Sequence, residues 1–351
     1  MRRLIACLFI ALLPGLATAE DTVLTVYNWN DYIDPQVLLD FEKETGIKID
    51  YKTYASAAEM NEMLASGAPV DIVVPTNPDL ADLIQRDQLL PLDFSQLPNR
   101  QNIDQSWMMK LLAFDAGNTH AVPYLWGAVG IAVNKPKAEA AFGGPLPNSW
   151  SLVFDPAQVT KLSSCGVSIL DSVDDVMTSL MNYRGRIIAD STPGQILRSG
   201  EVLQQVKPHL RYVDSERYID DLANGNLCVA VSFVGDALAA ADAGQPVEFL
   251  IPDEGATLFI DSLAIPRSSQ HPAQAHRFID YLMRPDVIAK ITKATLYPNA
   301  NAASTDLLPE SLRSRIGIVP DKATKRRLAL LTALPEPQQK ARDQVWSELL
   351  Q

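Results

Sequence analysis

Short apolar runs separated by amphipathic stretches of helical length recur through the first hundred residues, and this alternation restricts the fold more than any other feature of the chain. The run at 24–29 reads as a strand, Asp34 followed by Pro35 marks a helix start, and Gly46 marks its end. "IKIDYKTY" predicts a second strand, "AAEMNEMLASG" a helix stopped by Gly67, "DIVVP" a buried strand and "PDLADLIQRDQ" another helix. Strands joined through helices of this length imply right-handed crossovers and a mainly parallel sheet. Such sheets take ligands beyond the carboxyl ends of their strands, where Trp29–Tyr32 and Thr76 would lie.

At 351 residues the chain exceeds one core on the usual scale of about 100–200 residues per domain, so two lobes are expected. "HAVPYLWGAVGIAVN" is a long extended run that carries the chain into the second lobe near residues 121–130. A second α/β series follows: "CGVSILDS", "DDVMTSLMNYRG", a helix within 194–207, "LRYVDS", "ERYIDDLANG" and "LCVAVSFVGDALAAADAG". "VEFLIPDEGATLFIDSLAIP" returns, helices around 272–294 complete the first lobe, and a tail sets a helix ending "DQVWSELL" against the outside. The expected division is a signal at 1–19, lobe 1 at 20–124 and 253–318, lobe 2 at 125–252 and a tail at 319–351. The fold class is α/β, each lobe a mainly parallel sheet flanked by helices, with a ligand cleft between the lobes.

"MRRLIACLFIALLPGLATAED" has two arginines, an apolar run and a small-x-small site at Ala17, Thr18 and Ala19, the layout of a cleaved secretory signal. Its apolar run is shorter than the roughly 20 residues that span a bilayer, and too little of it precedes Cys7 for a lipoprotein signal. Export to the periplasm is expected, with cleavage after Ala19. Loss of Arg2 and Arg3 then takes the formal net charge from −12 to −14. That balance disfavours nucleic acid and anionic membranes as partners and favours cationic ligands. Cys165 and Cys228 are left as an even pair in an oxidising compartment, so a bridge is expected, worth roughly 4 kcal/mol by loop-closure entropy; the alternative is two buried free thiols.

Catalytic and cofactor motifs are missing: there is no G-x-S-x-G, H-E-x-x-H, G-x-x-x-x-G-K or dinucleotide-binding glycine pattern. His120, His209, His271 and His276 stand at unrelated places, so neither metal nor cofactor is expected. What recurs is an acid beside a ring at the end of an apolar strand: Trp29-Asn30-Asp31-Tyr32, Phe233 with Asp236, and Phe259 with Asp261. Tyr297 adds a ring after a helix. Each motif alone has a structural reading, Asp236 as a helix cap, Asp261 as a turn residue and Trp29 as core; together they point to a cleft. Desolvated carboxylates need cationic partners, and aromatic faces attract ammonium groups by roughly 0.5–2 kcal/mol each while packing on methylenes. The complementary ligand is an aliphatic chain with positive ends, which a polyamine is and an anion is not.

"YNWNDYI", "FEKETGIK", "DIVVP", "SCGVSILD", "RYIDDLANG" and "YLMRPDVIAKI", in this order from about residue 22 to about 320, resemble the bacterial periplasmic polyamine-binding proteins of ABC importers, in particular their putrescine-binding branch. The resemblance implies a two-lobed, hinge-closing, non-catalytic and monomeric solute-binding protein that passes polyamine to an inner-membrane permease. It implies ligand contacts at Trp29, Asp31, Tyr32, Ser215, Asp236, Phe259, Asp261 and Tyr297, and it matches Cys165 and Cys228 to a family disulfide. Asn30 stands where relatives often carry Ser or Thr, Asp175 where Glu is usual, and Phe233 where Trp is usual. Asp31, Asp236 and Phe259 are the putrescine-like choices, whereas Asp175 and Phe233 both enlarge the cleft. Putrescine is therefore the expected ligand, with spermidine, cadaverine and agmatine as alternatives. A related binding protein serving a sensor or another cation, and an exported enzyme using the same cleft, are the other readings.

Overall fold

A computed structural model describes residues 23–351; the expected signal at 1–19, with its cleavage point and Cys7, lies outside the described residues. The local signals produce the local elements. Asp34 caps the helix Pro35–Thr45 by accepting from the Gln36 amide at 2.9 Å, and Gly46 ends that helix with φ 76°. This is the cap, proline and glycine arrangement that satisfies orphan amides at one end and allows a left-handed residue at the other.

Among the described residues ten strands form one sheet: β1 (Val23–Trp29), β2 (Lys48–Tyr54), β3 (Ile72–Val73), β4 (Ala121–Asn134), β5 (Val167–Ile169), β6 (Tyr212–Val213), β7 (Val229–Phe233), β8 (Val247–Leu250), β9 (Ala256–Ala264) and β10 (Leu328–Leu330). Their order is β2-β1-β3-β9-β4-β7-β5-β6, with β8 beside β4 and β10 beside β9. β2, β1 and β3 run parallel, as do β7, β5 and β6, so each half has the parallel core that its crossover helices imply.

Between these halves lie β4 and β9, antiparallel to each other. Every residue of β4 is buried, the mark of a strand covered on both faces. Its first part pairs with β9 from Ala121↔Ala264 to Val129↔Thr257, with an irregularity between Pro123 and Leu125. From Val129 onward it pairs with β7, and from Ile131 with β8. The two segments read as crossings thus form a ribbon that belongs to both halves, and the lobes share a sheet instead of meeting only through loops.

The bridge between Cys165 and Cys228 is present, with the Cα atoms 5.5 Å apart, and ties the entry of β5 to that of β7. The tail is more integrated than an outer covering. β10 adds a parallel strand along Ala256–Leu258 of β9, and the helix Glu336–Leu350 then packs on the helices Pro193–Val206 and Val173–Tyr183 of the second half. Val345 sits so close over Gly200 that a Cβ there would collide with it. Among the described residues no helix is long and apolar enough to cross a membrane.

Candidate functional site

Strand ends from both halves converge beside the β4–β9 ribbon. Asp261, in the middle of β9 opposite Leu125, is only 2% exposed. Its Oδ1 accepts from the Thr76 hydroxyl at 2.6 Å and its Oδ2 from the Tyr32 hydroxyl at 2.7 Å. Thr76 follows β3 and Tyr32 follows β1, so three separate stretches of chain hold this one carboxylate. Burial pushes the Asp261 carboxyl up to about 7, against the lowering effect of the two hydroxyls, and the charge of Asp79 adds to the rise.

Asp236 lies across from it, in the first turn of the helix Val234–Asp242 that leaves β7. It caps no backbone amide there; its carboxylate accepts from the Tyr218 hydroxyl instead. Burial raises this carboxyl to about 6, and the charge of Asp31 from the other half adds to the effect. No cation among the described residues pairs with Asp236 or Asp261. Two acids are therefore held partly or wholly out of water by neutral hydroxyl donors, an arrangement that favours an incoming positive charge.

The rings form a wall between the two acids. Tyr297 packs against Tyr32 at a centroid distance of 4.9 Å and against Phe259 at 6.4 Å, and Phe259 meets Phe233 edge-on at 5.8 Å. The Tyr297 ring lies so tightly over Gly235 that a Cβ there would strike it, so a first-half ring rests on the backbone that carries Asp236. Burial followed by the charges of Asp236 and Asp261 raises the Tyr297 hydroxyl well above its usual range, consistent with its place between them.

The motif at the end of β1 divides into separate roles. Trp29 donates its indole N–H to the Val74 carbonyl at 3.0 Å and packs on Tyr54 at 4.6 Å, so its donor is already used. Asn30 is exposed, and its amide donates to Tyr54 O at 3.1 Å. Asp31 is exposed with φ 53°, a left-handed conformation that Asp tolerates better than most residues. That turn reverses the chain so that Tyr32 can point back to Asp261. Asp31 itself makes no side-chain hydrogen bond among the described residues; the cap of the following helix is Asp34.

Ser215 has a buried hydroxyl with no protein partner. Asp175 lies in the first turn of the helix Val173–Tyr183: it is 8% exposed, accepts from the Ser172 hydroxyl at 2.7 Å, and is raised to about 6 by burial, with the neighbouring Asp174 adding to the rise. Four participants were not selected from sequence. Tyr218 sits in the "RYIDDLANG" motif, and its partner, Asp236, is 18 residues away, beyond the reach of any local pattern. Tyr124 supports Tyr32 by donating to its carbonyl at 2.9 Å. Thr76, at the end of β3, donates to Asp261, a role its position at a strand end does not by itself announce. Asp79, in the first turn of the helix Asn77–Gln85, is raised to about 6 by burial and by Asp82 and Asp174.

Comparison with known proteins agrees with this architecture. Residues 36–313 match the family described as bacterial extracellular solute-binding protein. The chain is 38% identical over 357 residues to "Putrescine-binding periplasmic protein SpuD" of Pseudomonas aeruginosa, covering 99% of this chain and 97% of that protein. It is 36% identical over 358 residues to "Putrescine-binding periplasmic protein PotF" of Escherichia coli, covering 99% and 96%. Among solved structures, the fold matches a spermidine/putrescine ABC transporter substrate-binding protein from Streptococcus pneumoniae with a TM-score of 0.83 at 23% identity, covering 94% of this chain and 98% of that one. With a family match across most of its length and relatives aligned nearly end to end, the chain belongs to the bacterial extracellular solute-binding proteins.

Proposed function

We propose that the protein is the periplasmic solute-binding component of an ABC importer for polyamines, with putrescine as its preferred ligand, and that it works as a monomer delivering that ligand to an inner-membrane permease. The observation that carries this reading is the pair Asp261 and Asp236, each held by hydroxyl donors on opposite sides of a wall of rings and neither paired with a cation. One ammonium would meet each acid while the intervening methylenes lie against Tyr297, Phe259 and Phe233. The names of the relatives in Pseudomonas aeruginosa and Escherichia coli support the same class of ligand. Binding rather than catalysis is the role. We take the lobes to run over 20–124 with 253–318 and over 125–252, joined by the crossings at β4 and between β8 and β9, about which they close.

Thermal melts test this directly. A ligand that binds only the folded protein stabilises it by about 2.7 kcal/mol at 100 times its dissociation constant. Putrescine is expected to raise the melting temperature more than spermidine, cadaverine or agmatine, and no shift with any of them at millimolar concentration overturns the polyamine reading. A second measurement concerns Asp31. The substitution Asp31→Asn keeps a residue that tolerates the positive φ but removes the charge facing Asp236. Binding is expected to weaken by about 1.5–3 kcal/mol, the range for a hydrogen bond to a charged group, with ligand-free stability level or higher. Calorimetry returning an affinity within twofold of wild type removes Asp31 from the site.

A further inference from the structure

We propose that Arg342, in the C-terminal helix, is a positioning residue of the ligand site: it pins Asp174 and thereby fixes the helix start that presents Asp175. The proposal rests on the polyamine-binding reading. Arg342 is 8% exposed, unusual for an arginine, and it pairs through Nη1 with the Asp174 carboxylate. Its Nε and Nη2 are held by Asp343 at 2.8 and 2.7 Å, which fixes the plane of the guanidinium.

The helix start it reaches lacks an ordinary cap. Ser172 occupies the capping position but makes no bond to the helix amides; its hydroxyl is turned to donate to Asp175. Arg342 supplies the external support, through a carboxylate in the first turn of that helix. Asp79, from the first half, lies within electrostatic reach of Asp174 and has Asp82 and Arg86 as its own neighbours; Asp175 follows Asp174 on the helix, and Asp343 sits beside Arg342.

The other end of the tail is fixed to the opposite side of the same site. After β10, the Leu331 amide donates to Leu258 O at 2.9 Å, and the Leu331 carbonyl accepts from the Asn77 side chain. Asn77 in turn accepts from the Ile260 amide at 3.0 Å, one residue before Asp261, and follows Thr76 directly. One segment, Leu328–Leu350, is thus bonded next to Asp261 at one end and next to Asp175 at the other. It starts from β9 of the ribbon and reaches the second half without passing through β4, so it relates the two carboxylates by a second route.

Loss of the guanidinium has two opposed consequences for a dicationic ligand, and they separate the possible roles. Removing a positive charge near the cleft tightens binding if Arg342 acts only through its field; releasing Asp174 and the helix start loosens it if Arg342 positions Asp175. Putrescine titrations with wild type, Arg342→Gln, Arg342→Lys and Asp174→Asn, and with Arg342→Gln combined with Asp174→Asn, read this as a double-mutant cycle. Arg342→Gln is expected to weaken binding about tenfold, within the range of indirect couplings, with Arg342→Lys recovering part of the loss. The same change made in the Asp174→Asn background is expected to have little further effect. Tighter binding, or an equal loss in both backgrounds, overturns the proposal, as does a lowered melting temperature with unchanged affinity. Carbon-13 NMR of the Asp175 carboxyl supplies a readout that needs no ligand: its titration moves up in Arg342→Gln and stays in place when Asp174 is already Asn. An unmoved titration overturns the positioning role even if no diamine binds wild type, whereas absence of wild-type binding alone overturns the polyamine reading.

Discussion

Putrescine binding is expected to weaken about a thousandfold between about pH 8 and about pH 5, because two carboxyls of the site must give up protons before an ammonium can pair with them. Asp261 titrates at about 7 and Asp236 at about 6. Each unit of pH below a group's own value costs about tenfold in the fraction of charged form. At about pH 5 Asp261 therefore contributes about two decades and Asp236 about one.

The sign for the ligand-free fold is opposite. A carboxyl raised above its usual 3.8 makes the folded state the better proton acceptor, so its contribution to stability is fully present below that value and is lost as pH rises through about 7. The ligand-free protein should therefore lose stability from these groups between about pH 4 and about pH 7, while the extra stability conferred by putrescine grows over the same interval. Calorimetric titrations near pH 6 in buffers of different ionisation heat should show proton release on binding. A dissociation constant that stays level from about pH 8 to about pH 5 would falsify the assignment of Asp261 and Asp236 as ammonium acceptors.

Much of the scaffold was legible because its signals are local. Asp34, Pro35 and Gly46 bound a helix within a dozen residues, and "DIVVP" is a strand covered on both faces. The recurring acid beside a ring could also be read from neighbours in the chain. What joins these motifs could not. The bonds of Asp261 to Thr76 and Tyr32 span 185 and 229 residues, and no periodicity encodes a hydroxyl meeting a carboxylate over that separation. The fused sheet was hidden for a related reason: β4 is apolar along its whole length, which announces burial but not that its two ends pair with different partners. β10 has three residues, below the length at which a strand pattern stands out, and the helices Lys135–Phe142 and Pro156–Leu162 are too short for a clear helical period. Asp31 illustrates a further limit. Its positive φ turns Tyr32 inward and leaves Asp31 itself exposed, so the ring next to it in sequence packs elsewhere.

Asp261→Asn isolates the most enclosed charge of the site. The carboxylate accepts two hydroxyl hydrogen bonds, and an amide of the same shape accepts one and can donate the other, since a hydroxyl also accepts. The fold should therefore tolerate the exchange. Because a carboxyl raised to about 7 is unfavourable when charged, ligand-free stability at alkaline pH should rise. Binding should move the other way: an ammonium brought into a buried position without its carboxylate loses about 2–5 kcal/mol, the range for removing one partner of a buried charged pair. The pH profile adds a second criterion. With Asp261 gone, the decline in affinity between about pH 8 and about pH 6 should flatten, while the part below about pH 6 that belongs to Asp236 should remain. If Asp261 instead serves only to tie Tyr32 to Thr76, the variant melts at a lower temperature, binds putrescine as wild type does and keeps the full pH profile. The two outcomes differ in the direction of the stability change as well as in the size of the binding change, so melts and titrations of this single variant decide between a ligand-binding acid and a structural one.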